Sequence, residues 1–155
     1  MLDLLIIFCA KYLIYLIALA AVMVVALHPE SRIKLLWVAV IALPLGYALA
    51  RLVGMFYSHD QPFAVEGFEP LIPHEVDNSF PSDHTLFAGV FASLAFLADR
   101  RAGVVLWIAA LAVGTTRVEA GLHWPVDIAA SAILAALAVA LATTLVCLVR
   151  ARRQQ

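Results

Sequence analysis

Most of the polar residues able to do chemistry fall into three groups. The first is Pro81-Ser82-Asp83-His84. Proline is favoured in the first turn of a helix, where its missing donor costs nothing, so Pro81 is expected to open one. The free N–H groups near Ser82, Asp83 and His84 then point outward and form a natural anion site. A plain capping turn, with Ser79 or Ser82 as the cap, would use the same residues. The second group is Arg117, His123 and Asp127, with Pro125 placed to open a helix. Across a short turn the Asp127 carboxylate could reach one ring nitrogen of His123. That bond would fix the tautomer and stabilise the protonated ring. The other nitrogen is then free as nucleophile or base. Arg117 carries the planar guanidinium suited to bidentate phosphate binding. The bland alternative is an interfacial cluster that anchors helix ends, with Trp124 in an aromatic belt. The third group is Arg51 alone.

The elements that must position these groups are set by composition. Of 155 residues, 65% are hydrophobic and only 14% charged. Ordinary soluble domains carry about 25% charged residues, so a soluble domain, a disordered chain and a disulfide scaffold are excluded. An all-α transmembrane bundle remains, read as a single domain over residues 1–155. Five apolar stretches are visible: Leu4–Leu27, Leu35–Met55, Pro81–Ala98, Ala102–Thr116 and Pro125–Val149. A spanning helix needs about 20 residues. The third and fourth stretches are short of that, so their polar ends must complete them. Charge that close to the hydrocarbon is a functional suspect. Pro44 is expected to bend the second span. The n-region before Lys11 holds Asp3 and no basic residue, which argues against a cleaved signal peptide.

Charge gives the orientation. Arg32 and Lys34, Arg100 and Arg101, and Arg150, Arg152 and Arg153 all fall on one side of a five-span bundle. The opposite loop, residues 56–80, has no Lys or Arg and carries Asp60, Glu66, Glu69, Glu75 and Asp77. The positive-inside rule puts the basic clusters and the C-terminus in the cytoplasm, and the candidate site outside. Cys9 and Cys147 lack metal-ligand spacing and lie in separate apolar stretches, so neither a zinc site nor a disulfide is expected. No carboxylate cluster with metal-ligand spacing is visible either, and no catalytic metal or other cofactor is expected. Lys11, within the first span, has no evident partner.

Taken together, the groups resemble the type 2 phosphatidic acid phosphatase (PAP2) superfamily of membrane phosphatases. Its Pro-Ser-x-His motif stands here as Pro81-Ser82-Asp83-His84. Its Ser-Arg-x5-His-x3-Asp motif stands as Thr116-Arg117, His123 and Asp127, with threonine for the leading serine. Ser79-Phe80-Pro81-Ser82-Asp83-His84 is similar to bacterial undecaprenyl-diphosphate phosphatases of the bacitracin-resistance type. The first motif, Lys-x6-Arg-Pro, departs: Gln61-Pro62 replaces Arg-Pro, and Gly54 stands at the lysine position. Arg51 is the nearby cation. His59 could partly compensate for the missing charge, but it reads first as an ordinary loop histidine.

The resemblance implies a PAP2-like bundle in a bacterial cytoplasmic membrane and a two-step phosphoryl transfer. His123 would attack phosphorus, Asp127 would hold its ring, and His84 would protonate the leaving oxygen and then activate water. Arg117, Arg51 and the Ser82–His84 N–H groups would hold the phosphate. Asp83 would favour the helix N-terminus, and Gln61 would stand in for the missing arginine. The implied partner is a lipid phosphate within the bilayer, first an isoprenoid diphosphate, next phosphatidate or phosphatidylglycerol phosphate; a nucleic acid is not expected. A weakly active or inactive lipid-phosphate-binding relative is a further alternative. A small transporter would leave polar residues along several spans, whereas here they cluster at one end. The sequence does not fix oligomeric state.

Overall fold

The structure, a computed structural model, describes residues 1–153. Its helices are α1 (Leu2–Ala26), α2 (Pro29–Phe56), the short α3 (Pro62–Glu66), α4 (Asp83–Ala98), α5 (Arg100–Glu119) and α6 (Pro125–Arg152). One isolated antiparallel bridge, Asp60 with Asn78, ties the long loop to itself. α1, α2, α5 and α6 are long and apolar enough to cross a membrane, and α4 is a shorter apolar helix. The chain is thus an all-α, multi-pass membrane protein.

α4 has 16 residues, about 24 Å at 1.5 Å per residue. It packs against α1, α2, α5 and α6. Its flanks meet protein rather than lipid, so its short length leaves no backbone stranded in hydrocarbon. The core between α2, α4 and α6 is built from Val38, Ala42, Leu86, Val90, Leu134, Ala135 and Val139. Small residues let these helices approach closely. A Cβ on Gly89 would lie 2.8 Å from the Ala135 Cβ, so this crossing tolerates no side chain. Outward-facing Leu16, Leu19, Val40, Leu141 and Leu145 are exposed, as lipid-facing positions must be.

The helices outrun the apolar stretches that announced them. α2 starts at Pro29 rather than Leu35, and α5 covers Arg100–Glu119 rather than Ala102–Thr116. Long basic side chains can leave the apolar layer while their backbone stays helical. Pro29, Pro62 and Pro125 each stand in a first turn, but Pro81 does not. It follows a cis peptide after Phe80 and precedes the cap; α4 begins at Asp83 with Ser82 as N-cap. The expectation that Pro81 opens the helix is therefore corrected: the capping hydroxyl sets the start. α2 continues through Pro44. Cys9 and Cys147 are free. Lys11 lies with its Nζ 5.6 Å from the Tyr12 ring centroid.

The bundle has two ends. The α2, α4, α5 and α6 termini that carry Arg51, Asp83, Arg117 and Asp127 meet at one, the site end. Arg32, Asp99 and Arg150 mark the other, the arginine end.

Candidate active site

The α5–α6 turn is fixed before any chemistry is asked of it. α5 ends in a paired bond pattern: Leu122 N–H donates to Arg117 O, and Gly121 N–H to Val118 O. That pattern needs a left-handed residue just past the helix, and Gly121 supplies it at φ +79°. A Cβ there would also lie 2.5 Å from the Phe68 ring, so that exposed ring would have to shift. His123 follows directly. Trp124 then caps α6, Pro125 opens it, and the Asp127 carboxylate reaches back to the Trp124 N–H at 2.8 Å. Ser131 Oγ lies 2.9 Å from Ser82 O and ties α6 to the start of α4.

His123 is 8% exposed and Asp127 is fully buried. His123 Nδ1 lies 2.8 Å from the Ser79 backbone carbonyl. A carbonyl only accepts, so Nδ1 must carry the proton and Nε2 keeps its lone pair. The Asp127 Oδ2 is farther, at 3.4 Å. The tautomer is thus set mainly by Ser79 O, and Asp127 acts as a buried negative charge beside the ring. This modifies the expected direct Asp127–His123 bond. Asp127 Oδ2 is already occupied, because Ser79 Oγ and the Trp124 N–H both donate to it. Ser79 is accordingly a support for both residues and not a helix cap.

Arg117 is 5% exposed. Its Nη1 reaches the Ala10 carbonyl only at 3.5 Å, and its Nε has no hydrogen-bond partner among the described residues. No carboxylate among them lies within 4.0 Å of it. A buried cation without a counter-ion is expensive unless a ligand completes it. His84, half-buried in the first turn of α4, lies within Coulombic reach of Arg117, His123 and His74. The structure therefore brings His84, Arg117, His123 and Asp127 to one place.

Other expected residues are engaged elsewhere. Asp83 pairs with Arg51, which also lies 5.0 Å from the Tyr47 ring centroid; both charged groups are substantially exposed. Ser82 is buried, and its Oγ faces the Thr85 N–H and hydroxyl. Its hydroxyl is a cap, leaving only the backbone of this turn for an anion. Gln61 is 2% exposed, and its Oε1 accepts the Asp77 N–H at 2.9 Å. That side chain fastens the long loop.

Two histidines lie outside the expected site set. His59, which reads first as an ordinary loop histidine, has its Nε2 3.0 Å from Asp127 Oδ1. His74 sits in a loop pinned on both sides, by Leu71 N–H to Ala120 O and by Asp77 N–H to Gln61 Oε1. Burial of part of its ring, then the positive charges of Arg117 and His123, hold its pKa below the ordinary 6.5, against opposing Asp77 and Glu75. The residue as a whole is exposed, so the burial effect is partial. Neither histidine belongs to a periodic pattern, and only the folding of the loop onto the α5–α6 turn reveals them.

Chemically, the arrangement offers an imidazole nitrogen with a free lone pair, a second histidine, a buried cation with no carboxylate within 4.0 Å among the described residues, and a helix N-terminus. Comparison with known proteins points the same way. The family model described as the PAP2 superfamily matches residues 11–151. The bacitracin transport permease protein BcrC of Bacillus licheniformis is 37% identical over 138 residues, 88% of this chain and 68% of that one. The undecaprenyl-diphosphatase BcrC of Bacillus subtilis is 32% identical over 136 residues, 86% of this chain and 69% of that one. The crystal structure of Aquifex aeolicus LpxE shares the fold, with TM-score 0.71 and 22% identity over 91% of this chain and 86% of that one.

Proposed function

From the premise that this chain belongs to the PAP2 superfamily of membrane phosphatases, we propose that it removes the terminal phosphate of undecaprenyl diphosphate or a similar isoprenoid diphosphate. His123 Nε2 attacks the terminal phosphorus. The bond from that phosphorus to the bridging oxygen breaks, and His84 gives this oxygen its proton. The products of this step are the lipid monophosphate and a phosphohistidine. His84 then takes a proton from water, the water oxygen attacks the phosphohistidine, and inorganic phosphate leaves with His123 restored. Arg117 and the N–H groups at the start of α4 neutralise the equatorial oxygens. Such a transfer depends mostly on positioning and electrostatics, which these groups supply. We assign no step to a metal ion.

The observation that carries this reading is Arg117: a buried guanidinium with no carboxylate within 4.0 Å among the described residues, within Coulombic reach of His84. A phosphate would complete it. Seven basic residues at the arginine end support a cytoplasmic-membrane placement with that end, and the C-terminus, inside. The site then faces the extracytoplasmic side, where a diphosphate headgroup can enter while its tail stays in lipid. The permease name carried by one relative suggests transport, but the buried polar side chains around Arg117, His123 and Asp127 gather at one end instead of lining a path.

The test is phosphate release from undecaprenyl diphosphate by purified protein in detergent, beside His123→Ala. Wild type should release phosphate and the variant should lose about a thousandfold or more, as nucleophile deletions do. Equal release by the two would remove this mechanism. Full activity in EDTA is expected, and a loss reversed by Mg²⁺ would overturn the metal-independent scheme.

A further inference from the structure

The buried Asp127 carboxylate has two oxygens, and the mechanism above uses only one side of it. Oδ2 takes Ser79 Oγ and the Trp124 N–H, and faces His123. Oδ1 is buried and meets His59 Nε2 at 3.0 Å. That contact is close enough for an ion pair, yet neither atom has a well-aligned hydrogen bond. It is a charge contact more than a directed bond. We propose that His59 is a positioning residue of the reaction: it shares Asp127 with His123 and sets how much of that negative charge the nucleophile feels. The proposal rests on His123 being the nucleophile.

His59 is held for such a role. Its backbone carbonyl accepts the Ser79 N–H at 2.8 Å, joining it to the segment that also supports His123. Its ring packs edge-on against Tyr57, with centroids 5.2 Å apart, and lies 6.1 Å from the Phe80 ring. Its Nδ1 faces the Asp60 carbonyl at 3.3 Å. Each ring nitrogen thus faces an oxygen that can only accept. The position also answers a question the sequence raised. Gly54 and Gln61 leave the first-motif charges empty, and His59 offers a basic side chain on the opposite side of Asp127.

The consequence has a sign. His123 must be neutral to attack. Asp127 favours the proton on His123, and a cation at His59 offsets that pull. Without His59, Asp127 acts on His123 alone and keeps it protonated to higher pH. The other charges around this pair are Arg117 on α5, His84 and Asp83 on α4, Arg51 on α2, and His74, Asp60 and Asp77 on the loop. None of them changes in the comparison.

The experiment measures kcat/KM for undecaprenyl diphosphate against pH in detergent, for wild type, His59→Phe and His59→Gly. His59→Phe keeps an aromatic ring against Tyr57 and Phe80 but carries no charge. In both variants the acidic limb should move up by about one pH unit, so the rate near that limb falls about tenfold and recovers in alkali. Adding imidazole to His59→Gly should bring the limb back, because the vacated position opens toward a surface pocket lined by Tyr57, Asp60, Val65 and Trp124. A merely structural histidine would lower the rate equally at all pH values and would not be rescued. An unmoved limb in both variants overturns the proposal. His123→Ala run alongside separates the two readings: if it matches wild type, the nucleophile assignment has failed; if it is inactive while the His59 variants keep the wild-type limb, only the role of His59 has.

Discussion

Two aspartates stand at helix N-termini, one at each end of the bundle, and they live in opposite physical regimes. Asp99 caps α5 at the arginine end, accepts the Ala102 N–H at 2.8 Å and has arginines beside it. Asp127 stands in the first turn of α6 at the site end, fully buried, and meets Ser79, Trp124 and two histidines. The first satisfies a helix end where water can help. The second holds charge where water cannot. The same contrast separates the arginines. Arg100, Arg152 and Arg153 are exposed, whereas Arg117 is buried and has no carboxylate within 4.0 Å among the described residues. Side-chain identity therefore says little by itself; burial of charged groups marks the site end.

The sharpest way to break that contrast is to remove the buried cation. Arg117→Met should cut kcat/KM for a diphosphate lipid by about a hundredfold to a thousandfold, the usual cost of losing a main transition-state charge contact. The same change relieves an uncompensated buried charge, so thermal stability in detergent should hold or rise. Arg100→Met at the other end should leave phosphate release unchanged. A variant of Arg117 that kept its activity and lost its fold would show that the guanidinium is structural.

How much of this contrast could be read in advance follows from its physics. The bundle was legible because bilayer thickness imposes long apolar runs, and the ends were legible because basic residues sort by side. His84, Arg117, His123 and Asp127 stood out because charge next to hydrocarbon is costly. What escaped depends on chain returns with no period. Ser79 and His59 converge on Asp127 through one loop pairing, and no local spacing encodes that pairing. Pro81 misled because a proline before a helix suits either the first turn or the segment ahead of the cap. Asp83, expected only to favour the helix N-terminus, also takes Arg51, a residue 32 positions away.

A smaller effect tests whether the loop belongs to the site end. His74 has a pKa lowered from 6.5 by partial burial and by Arg117 and His123. Below pH 6.5 the unfolded chain therefore takes up this proton more readily than the folded one. The fold loses stability as pH falls from 6.5 through the lowered value. A bound phosphate reverses the charge His74 meets and makes its protonation favourable. Inorganic phosphate should then stabilise the protein more at pH 5.5 than at pH 7.5. His74→Gln should reduce that difference in a thermal-shift titration and weaken phosphate binding several-fold at the lower pH. An identical phosphate response in wild type and variant would place His74 outside the phosphate's field.

The smallest effect belongs to Asp99. Its carboxyl is held below the usual 3.8 chiefly by the Ala102 N–H bond. A depressed carboxyl contributes stability that is present above its unfolded value and lost as pH falls through its folded one. Asp99→Ala should thus lower the melting temperature slightly at neutral pH, and the difference from wild type should fade toward pH 3. Phosphate release should not change, because Asp99 lies at the opposite end of the bundle from Arg117, His123 and Asp127. Asp127→Asn predicts the reverse pattern: the helix end keeps an acceptor for the Trp124 N–H, while release falls at every pH because the charge beside His123 is gone. If Asp99→Ala cut release as Asp127→Asn does, the two ends would be coupled through α4 and α5, and burial alone would no longer distinguish an aspartate that caps from one that acts.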